Sequence, residues 1–90
     1  MRQVFLSSQF KKDFKRVQKQ GLNLSKLKRV IETLEMELLL EQSLKDHPLR
    51  GNYAGTRECH VEPDWLLIYR VDGDELHLVR TGSHAELLKK

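Results

Sequence analysis

Two short strings in the last third of the chain concentrate groups able to move protons and hold phosphate. HVEPDW, His60 to Trp65, is followed fifteen residues after its tryptophan by RTGSH, Arg80 to His84. Imidazole gives and takes protons near neutral pH, and a guanidinium matches the charge and geometry of phosphate. With the carboxylate of Asp64 between them, the set suits acid–base chemistry on a phosphodiester. A third imidazole, His47, stands upstream in KDHPLRG.

Each of these residues also has an ordinary reason to be present. Asp64 after Pro63 is favoured in turns because its carboxylate bonds nearby backbone amides. Trp65 can fill core, and Arg80 can be a charge at a strand edge. Gly82 is read as a backbone requirement rather than a chemical one. Cys59 is read as a small buried apolar residue, Glu58 and Glu62 as solvated, and His77 as outside every motif. No metal is expected: His60 and Asp64 lie four apart, but Pro63 opposes the helix that would align them. No H-E-x-x-H or cysteine pair occurs either. The chain has no Gly-rich phosphate loop, and no cofactor is expected.

The elements that must position these groups follow from periodicity. Gln3 to Leu6 is a short strand, and Ser7 or Ser8 caps a helix whose apolar stripe is Phe10, Phe14 and Val17, ending at Gly21. A second helix starts near Asn23 or Ser25, places Leu24, Leu27, Val30, Ile31, Leu34 and Leu38 on one face, and runs to about Glu41. Gly51 to Gly55 is turn-rich and Arg57 to Val61 begins a series of strands. Pro63-Asp64 and Asp72-Gly73 are the hairpin turns. Within Trp65 to Val71, Leu66 and Ile68 face one way while Trp65, Leu67 and Tyr69 face the other. One face takes the helices and the other stays open to a ligand. The expected fold class is α+β, a two-helix hairpin on a mainly antiparallel sheet, in the order β-α-α-β-β-β with a further strand possible.

Ninety residues fit one domain, 1–90, so function sits on the surface of its core. An apolar fraction of 39% with 32% charged residues excludes a disordered chain. A single cysteine excludes an intrachain disulfide, and the N-terminus lacks the apolar run of a signal peptide; a cytosolic, membrane-free protein is expected. Charge is uneven. Residues 1–29 hold nine bases against one acid, Asp13, while the remainder is net acidic. A basic face of Lys11, Lys12, Lys15, Arg16, Lys19, Lys26, Lys28 and Arg29 fits a polyanion, although solvated helix faces would look the same.

KDHPLRG, HVEPDWLLIYR and RTGSHAEL together resemble the YafQ branch of the RelE/ParE superfamily, bacterial type II toxins that cleave messenger RNA on the ribosome. DHPL, H-x-x-PDW and R-x-G-x-H, in this order within forty residues, are specific as a set. The resemblance implies catalytic roles for His47, His60, Asp64, Arg80 and His84, and a structural or nucleotide-contacting role for Trp65. The family often has an aromatic four residues past the last motif histidine; here Leu88 stands there, so the expected terminal RNA contact lacks a stacking ring. A cognate antitoxin, the ribosome and mRNA are the implied partners.

The implied chemistry needs a base for the 2′-hydroxyl proton, an acid for the departing 5′-oxygen and a cation for the phosphorane. Asp64 or His60 serves as base, His84 as acid and Arg80 as clamp, with His47 supporting either proton transfer. Two other readings stand beside it: a non-enzymatic relative of ParE type that binds gyrase, and an RNase that works without the ribosome. A gyrase binder has no use for three histidines, an Asp and an Arg in nuclease positions.

Overall fold

The computed structural model describes residues 1–88, and the side chain of Leu88 lies outside that description. The order is β1 (Gln3–Leu6), α1 (Ser8–Lys19), α2 (Leu24–Glu35), β2 (His47–Pro48), β3 (Arg57–Glu62), β4 (Trp65–Asp72), β5 (Glu75–Gly82) and α3 (His84–Leu88). Short 3-10 turns at Gln42–Leu44 and Gly51–Tyr53 flank β2. The strands form one sheet ordered β1-β5-β4-β3-β2; β1 is parallel to β5 and all other pairings are antiparallel. The expected α+β class and strand–helix order hold, with α3 as an unforeseen addition. None of the described helices is long and apolar enough to cross a membrane.

The two long helices begin and end for local reasons. Ser7 Oγ accepts the Phe10 amide at 2.8 Å and Asn23 Oδ1 accepts that of Ser25 at 3.0 Å. After α1 the chain turns through Gly21 at φ 75°, where the Gly21 and Leu22 amides donate back to Gln18 and Val17. After α2 the same closure recurs with Glu37 at φ 62°: Glu37 donates to Leu34 and Leu38 to Thr33. α2 therefore stops at Glu35, six residues before the expected end. Leu38, assigned to its buried stripe, is instead an exposed residue beyond the helix.

Alternation along β4 divides the molecule into two packing layers. Trp65, Leu67 and Tyr69 join Cys59, Leu76 and Leu78 beneath Phe10, Val17, Leu27, Val30 and Leu34 from the helices. Each fully buried Leu in this layer contributes about 2 kcal/mol of hydrophobic stabilisation. Leu66 and Ile68 face the other way and are covered by Leu87 of α3 with Leu49, Tyr53 and Val79. That second face is thus only partly open: α3 and the Leu49–Tyr53 stretch roof its middle. The Cys59 thiol is wholly buried, which pushes its pKa up to about 12 and leaves it unreactive.

A bulge in the β4–β5 pairing aims the motif. Tyr69 opposes Leu78, but Ile68 opposes Arg80, so Val79 is an extra residue. Without it Arg80 would lie opposite Leu67 on the helix side. The one-residue slip moves it to the Ile68 side and puts Thr81 opposite Leu67.

Candidate active site

His47, Glu58, Ile68 and Arg80 occupy one row across β2, β3, β4 and β5, while His60, Leu66 and Gly82 occupy a neighbouring row. Glu58 and Arg80 are two strand spacings apart, about 10 Å. The register thus brings His47, His60 and Arg80 to one face, and α3 carries His84 to the same place. Ring centroids lie 6.3 Å apart for His47–His60 and 5.4 Å for His60–His84.

Three supports hold these imidazoles. Asp46 accepts from Arg57 Nε at 3.2 Å and Nη2 at 3.0 Å and from the Tyr69 hydroxyl, which pins the strand that carries His47. His47 Nδ1 lies 2.7 Å from the Lys45 carbonyl and His60 Nδ1 lies 3.3 Å from that of Pro63. A carbonyl can only accept, so both rings carry hydrogen on Nδ1 and, when neutral, present a lone pair at Nε2. His84 is held differently: Asp64 Oδ1 accepts from its ring Nδ1 at 2.8 Å and from its backbone amide at 3.1 Å. These bonds hold the Asp64 carboxyl below the usual range, His84's side chain having the largest effect.

α3 exists because of a reciprocal cap. Ser83 Oγ accepts the Glu86 amide at 3.2 Å, and Glu86 Oε1 accepts that of Ser83 at 2.9 Å. Gly82 precedes it at φ +155°, and a β-carbon there would meet Arg16 Nη2 at 2.6 Å and Glu86 Oε1 at 3.0 Å. The backbone reading of Gly82 is borne out.

Two acids overlooked at the sequence level organise the site. Glu58, expected to be solvated, is 3% exposed. Its carboxylate faces three imidazoles: Oε2 is 3.7 Å from His47 Nε2, and Oε1 is 3.7 Å from His60 Nε2 and 3.9 Å from His84 Nε2. The Glu58, His60 and His84 atoms lie within 4.8 Å of one another, close enough to bracket a small cation. Local spacing along the sequence does not reveal this group, because the fold joins β3 to α3.

Asp13, in the middle of the basic helix, is 0% exposed. It accepts from Arg80 Nε at 2.8 Å and Nη2 at 3.0 Å, from Arg16 Nη1 at 3.1 Å, from Gln9 at 3.2 Å and from the Thr81 amide at 3.2 Å. Burial alone would raise its pKa; the donors, led by Arg80, outweigh burial and hold the carboxyl below its ordinary value. The same pairing raises that of Arg80, to which the Tyr53 hydroxyl also contributes. One signal was available: Asp13 is the sole acid among nine bases and lies beside the apolar stripe.

These contacts also complete the sheet. β1 pairs with β5 only as far as Leu78. Beyond it, Ser7 Oγ donates to the Val79 carbonyl at 2.7 Å, Asp13 accepts the Thr81 amide, and Arg16 Nη2 donates to the Thr81 carbonyl at 3.0 Å. Side chains of the α1 region stand in for a missing strand.

The other expected residues divide accordingly. Trp65 is 2% exposed and donates its indole N–H to Thr81 Oγ1 at 2.9 Å; this placement serves the structural half of its expected role and takes the ring out of reach of a nucleotide. Arg16 is committed to Asp13, Thr81 and Glu86, so it leaves the open basic face. Lys11, Lys12, Lys15, Lys19, Lys28 and Arg29 are exposed, and Lys26 is exposed but paired with Glu62 at 2.9 Å. His77 sits apart, bonded to Glu75 and stacked on Phe5. The expected contact at Leu88 lies outside the described side chains.

A helix hairpin on one face of a sheet and clustered imidazoles on the other define a small bacterial toxin of the type II toxin–antitoxin class. The description "bacterial toxin of type II toxin-antitoxin system, YafQ" matches residues 2–89, and the chain belongs to this YafQ family. It is 44% identical to the mRNA interferase toxin YafQ of Escherichia coli K12 over 87 residues, 96% of this chain and 95% of that one. The crystal structure of YafQ from Escherichia coli BL21(DE3) superposes with a TM-score of 0.92 at 42% identity, covering 97% and 98% of the two chains. YafQ in the Escherichia coli DinJ–YafQ complex superposes with a TM-score of 0.89 at 43% identity, covering 97% and 98%.

Proposed function

We propose that this toxin is an endoribonuclease that cuts mRNA on the ribosome by metal-independent transphosphorylation. The observation that carries the reading is the convergence of His47, His60 and His84 on one face, which Arg80 shares at the end of the His47 row. His60 Nε2, with Nδ1 committed to a carbonyl, takes the 2′-hydroxyl proton. The 2′-oxygen then bonds to phosphorus as the bond from phosphorus to the 5′-oxygen breaks. His84, its Nδ1 held by Asp64, delivers a proton from Nε2 to the leaving 5′-oxygen. Asp64 orients His84 instead of serving as the base, because its Oδ1 accepts from both the ring and the backbone amide of that residue. Arg80 meets the phosphorane charge with the guanidinium edge that Asp13 leaves free. His47 is the second candidate base.

The exposed lysines with Arg29 supply the docking face for ribosomal RNA, and a cognate antitoxin is the protein partner, as DinJ is for the relative it crystallises with. The site of action is the cytoplasm. The test is cleavage of a defined mRNA with and without ribosomes, with the new ends analysed. Ribosome-dependent cuts leaving a 5′-hydroxyl and a 2′,3′-cyclic or 3′-phosphate are expected. A 5′-phosphate would overturn the 2′-hydroxyl mechanism, and equal cutting of free RNA would overturn ribosome dependence. Gyrase inhibition without RNA cleavage would select the ParE-like alternative.

A further inference from the structure

We infer that Tyr53 is the nucleotide-contacting ring of this site, a half-buried aromatic whose free face stacks on the mRNA base next to the phosphate that Arg80 holds; the inference rests on the nuclease reading just given. The first support is elimination. The chain has three Phe, two Tyr and one Trp. Phe10 and Phe14 pack on each other in the helix layer, Trp65 and Tyr69 lie beneath the helices at 2% exposure, and Phe5 stacks on His77, apart from the site. Tyr53 is the remaining aromatic.

Placement is the second support. Tyr53 packs on the cluster of Leu66, Ile68 and Leu87 and is only partly buried there. In register, Leu66 separates His60 from Gly82 and Ile68 separates Glu58 from Arg80, so this cluster is the floor between the imidazoles and the guanidinium. The ring rests on the middle of the site. The Tyr53 hydroxyl also helps to raise the pKa of Arg80, which agrees with a ring bordering that guanidinium.

The third support is rigidity. Tyr53 closes the turn Gly51–Tyr53, and its carbonyl accepts from both the amide of Thr56, at 3.1 Å, and the Thr56 hydroxyl. Thr56 is itself buried, and its carbonyl accepts the Leu49 amide at 3.0 Å. A ring on a turn so tied loses little freedom when a base lands on it. Single-stranded RNA is held largely by stacking of its bases on aromatic side chains, which every base can do because each has a π-face. The helix lysines supply charge but no such surface. Stacking on Tyr53 fixes the nucleotide while the imidazoles exchange protons.

The test separates the ring from its hydroxyl and from the base. Tyr53→Leu keeps apolar bulk over the floor and removes the ring, so KM for mRNA cleavage on ribosomes should rise about tenfold with kcat little changed. Tyr53→Phe keeps the ring and should stay close to the parent. An activity-independent measurement accompanies these: the ring-proton resonances of Tyr53 in the full parent chain, titrated with a 2′-O-methyl RNA trinucleotide, which lacks the attacking hydroxyl, and with its abasic counterpart. The trinucleotide should move them upfield, as stacking on a base does, and the abasic backbone should not. Those of the buried Tyr69 should stay put with both.

No upfield shift with the trinucleotide, or an equal shift with the abasic backbone, would overturn the inference whether or not the chain cleaves RNA. So would a parent-like KM for Tyr53→Leu, or a loss in Tyr53→Phe as large as that in Tyr53→Leu. If Tyr53→Leu does not fold, the titration of the parent chain decides alone. If the Tyr53 ring shifts as expected but the parent cleaves no RNA, the nuclease reading fails and the base contact stands.

Discussion

Two acid–base clusters of this toxin use similar side chains in opposite ways. Around Asp13 the contacts run from 2.8 to 3.2 Å and the carboxylate is wholly buried, with five donors converging on it. Around Glu58 the nearest cations-to-be stand 3.7 to 3.9 Å away, and the side chains of His47 and His84 are 48% and 44% exposed. The first cluster has no freedom left, which suits a group that must hold Arg80 at a fixed orientation. The second keeps its ring nitrogens available, which suits groups that must gain and lose protons. Tight pairing makes structure, and loose pairing leaves chemistry possible.

The largest effects should come from the loose cluster. His84→Ala should lower mRNA cleavage by about 10²- to 10⁴-fold while leaving the thermal unfolding midpoint almost unchanged. Equal losses of activity and stability would place His84 with the structural cluster. Arg80→Ala should divide differently, losing cleavage and also stability, because it strands Asp13. Urea unfolding beside single-turnover cleavage would separate the two losses.

Asp13→Ala reaches the tight cluster directly and should cost about 3–5 kcal/mol in urea unfolding, since it leaves buried donors of Arg80 and Thr81 unpaired. A cost below about 1 kcal/mol would show the pairing to be dispensable. pH sharpens the point. The folded carboxyl lies below its ordinary value of 3.8, so its stabilisation is complete above that pH and is lost as pH falls through the depressed value. Asp13→Asn should accordingly lose stability at neutral pH and show a shallower decline below about pH 4, read from unfolding midpoints across pH.

Smaller effects are expected at the margins. Trp65→Phe removes the indole donor to Thr81 and should cost about 1–3 kcal/mol, with cleavage per folded molecule retained. A selective loss of RNA affinity would return Trp65 to the nucleotide-contacting role. Reversing two exposed charges, Lys15→Glu with Lys28→Glu, should weaken ribosome binding and flatten its salt dependence with a stability change within about 0.5 kcal/mol. An unchanged salt slope would remove the docking role from these helices.

What could be read without coordinates is uneven for physical reasons. The turn at Pro63-Asp64 was legible because turn chemistry is local, as was the two-sided alternation of β4; the second hairpin was legible too, but its loop is Gly73-Asp74, one position beyond the expected Asp72-Gly73, because Asp72 still pairs with Glu75. The end of α2 was not, because Glu37 takes a left-handed conformation where a glycine would have announced the stop, as Gly21 does for α1. α3 went unseen although S-x-x-E in Ser83 to Glu86 is a capping box; it overlaps a motif read for its chemistry. Glu58 sits in a strand whose burial does not alternate cleanly, and its partners lie on three separate elements, so no window of sequence contains its role. Arg16 counted among the basic residues because charge is visible in sequence, while its commitment to the buried Asp13 carboxylate and to the Thr81 carbonyl 65 residues away is not.

The pairing of Asp13 with Arg80 spans 67 residues. The same two ends of the chain meet again where β1 pairs with β5. A chain emerging from synthesis has its first helix long before its last strand, so Asp13 waits without a partner and the sheet lacks its edge. His84 and α3 come later still. Arg80, His84 and the strand that closes the sheet therefore join the fold only once β5 and α3 have been added, so the candidate site is assembled last.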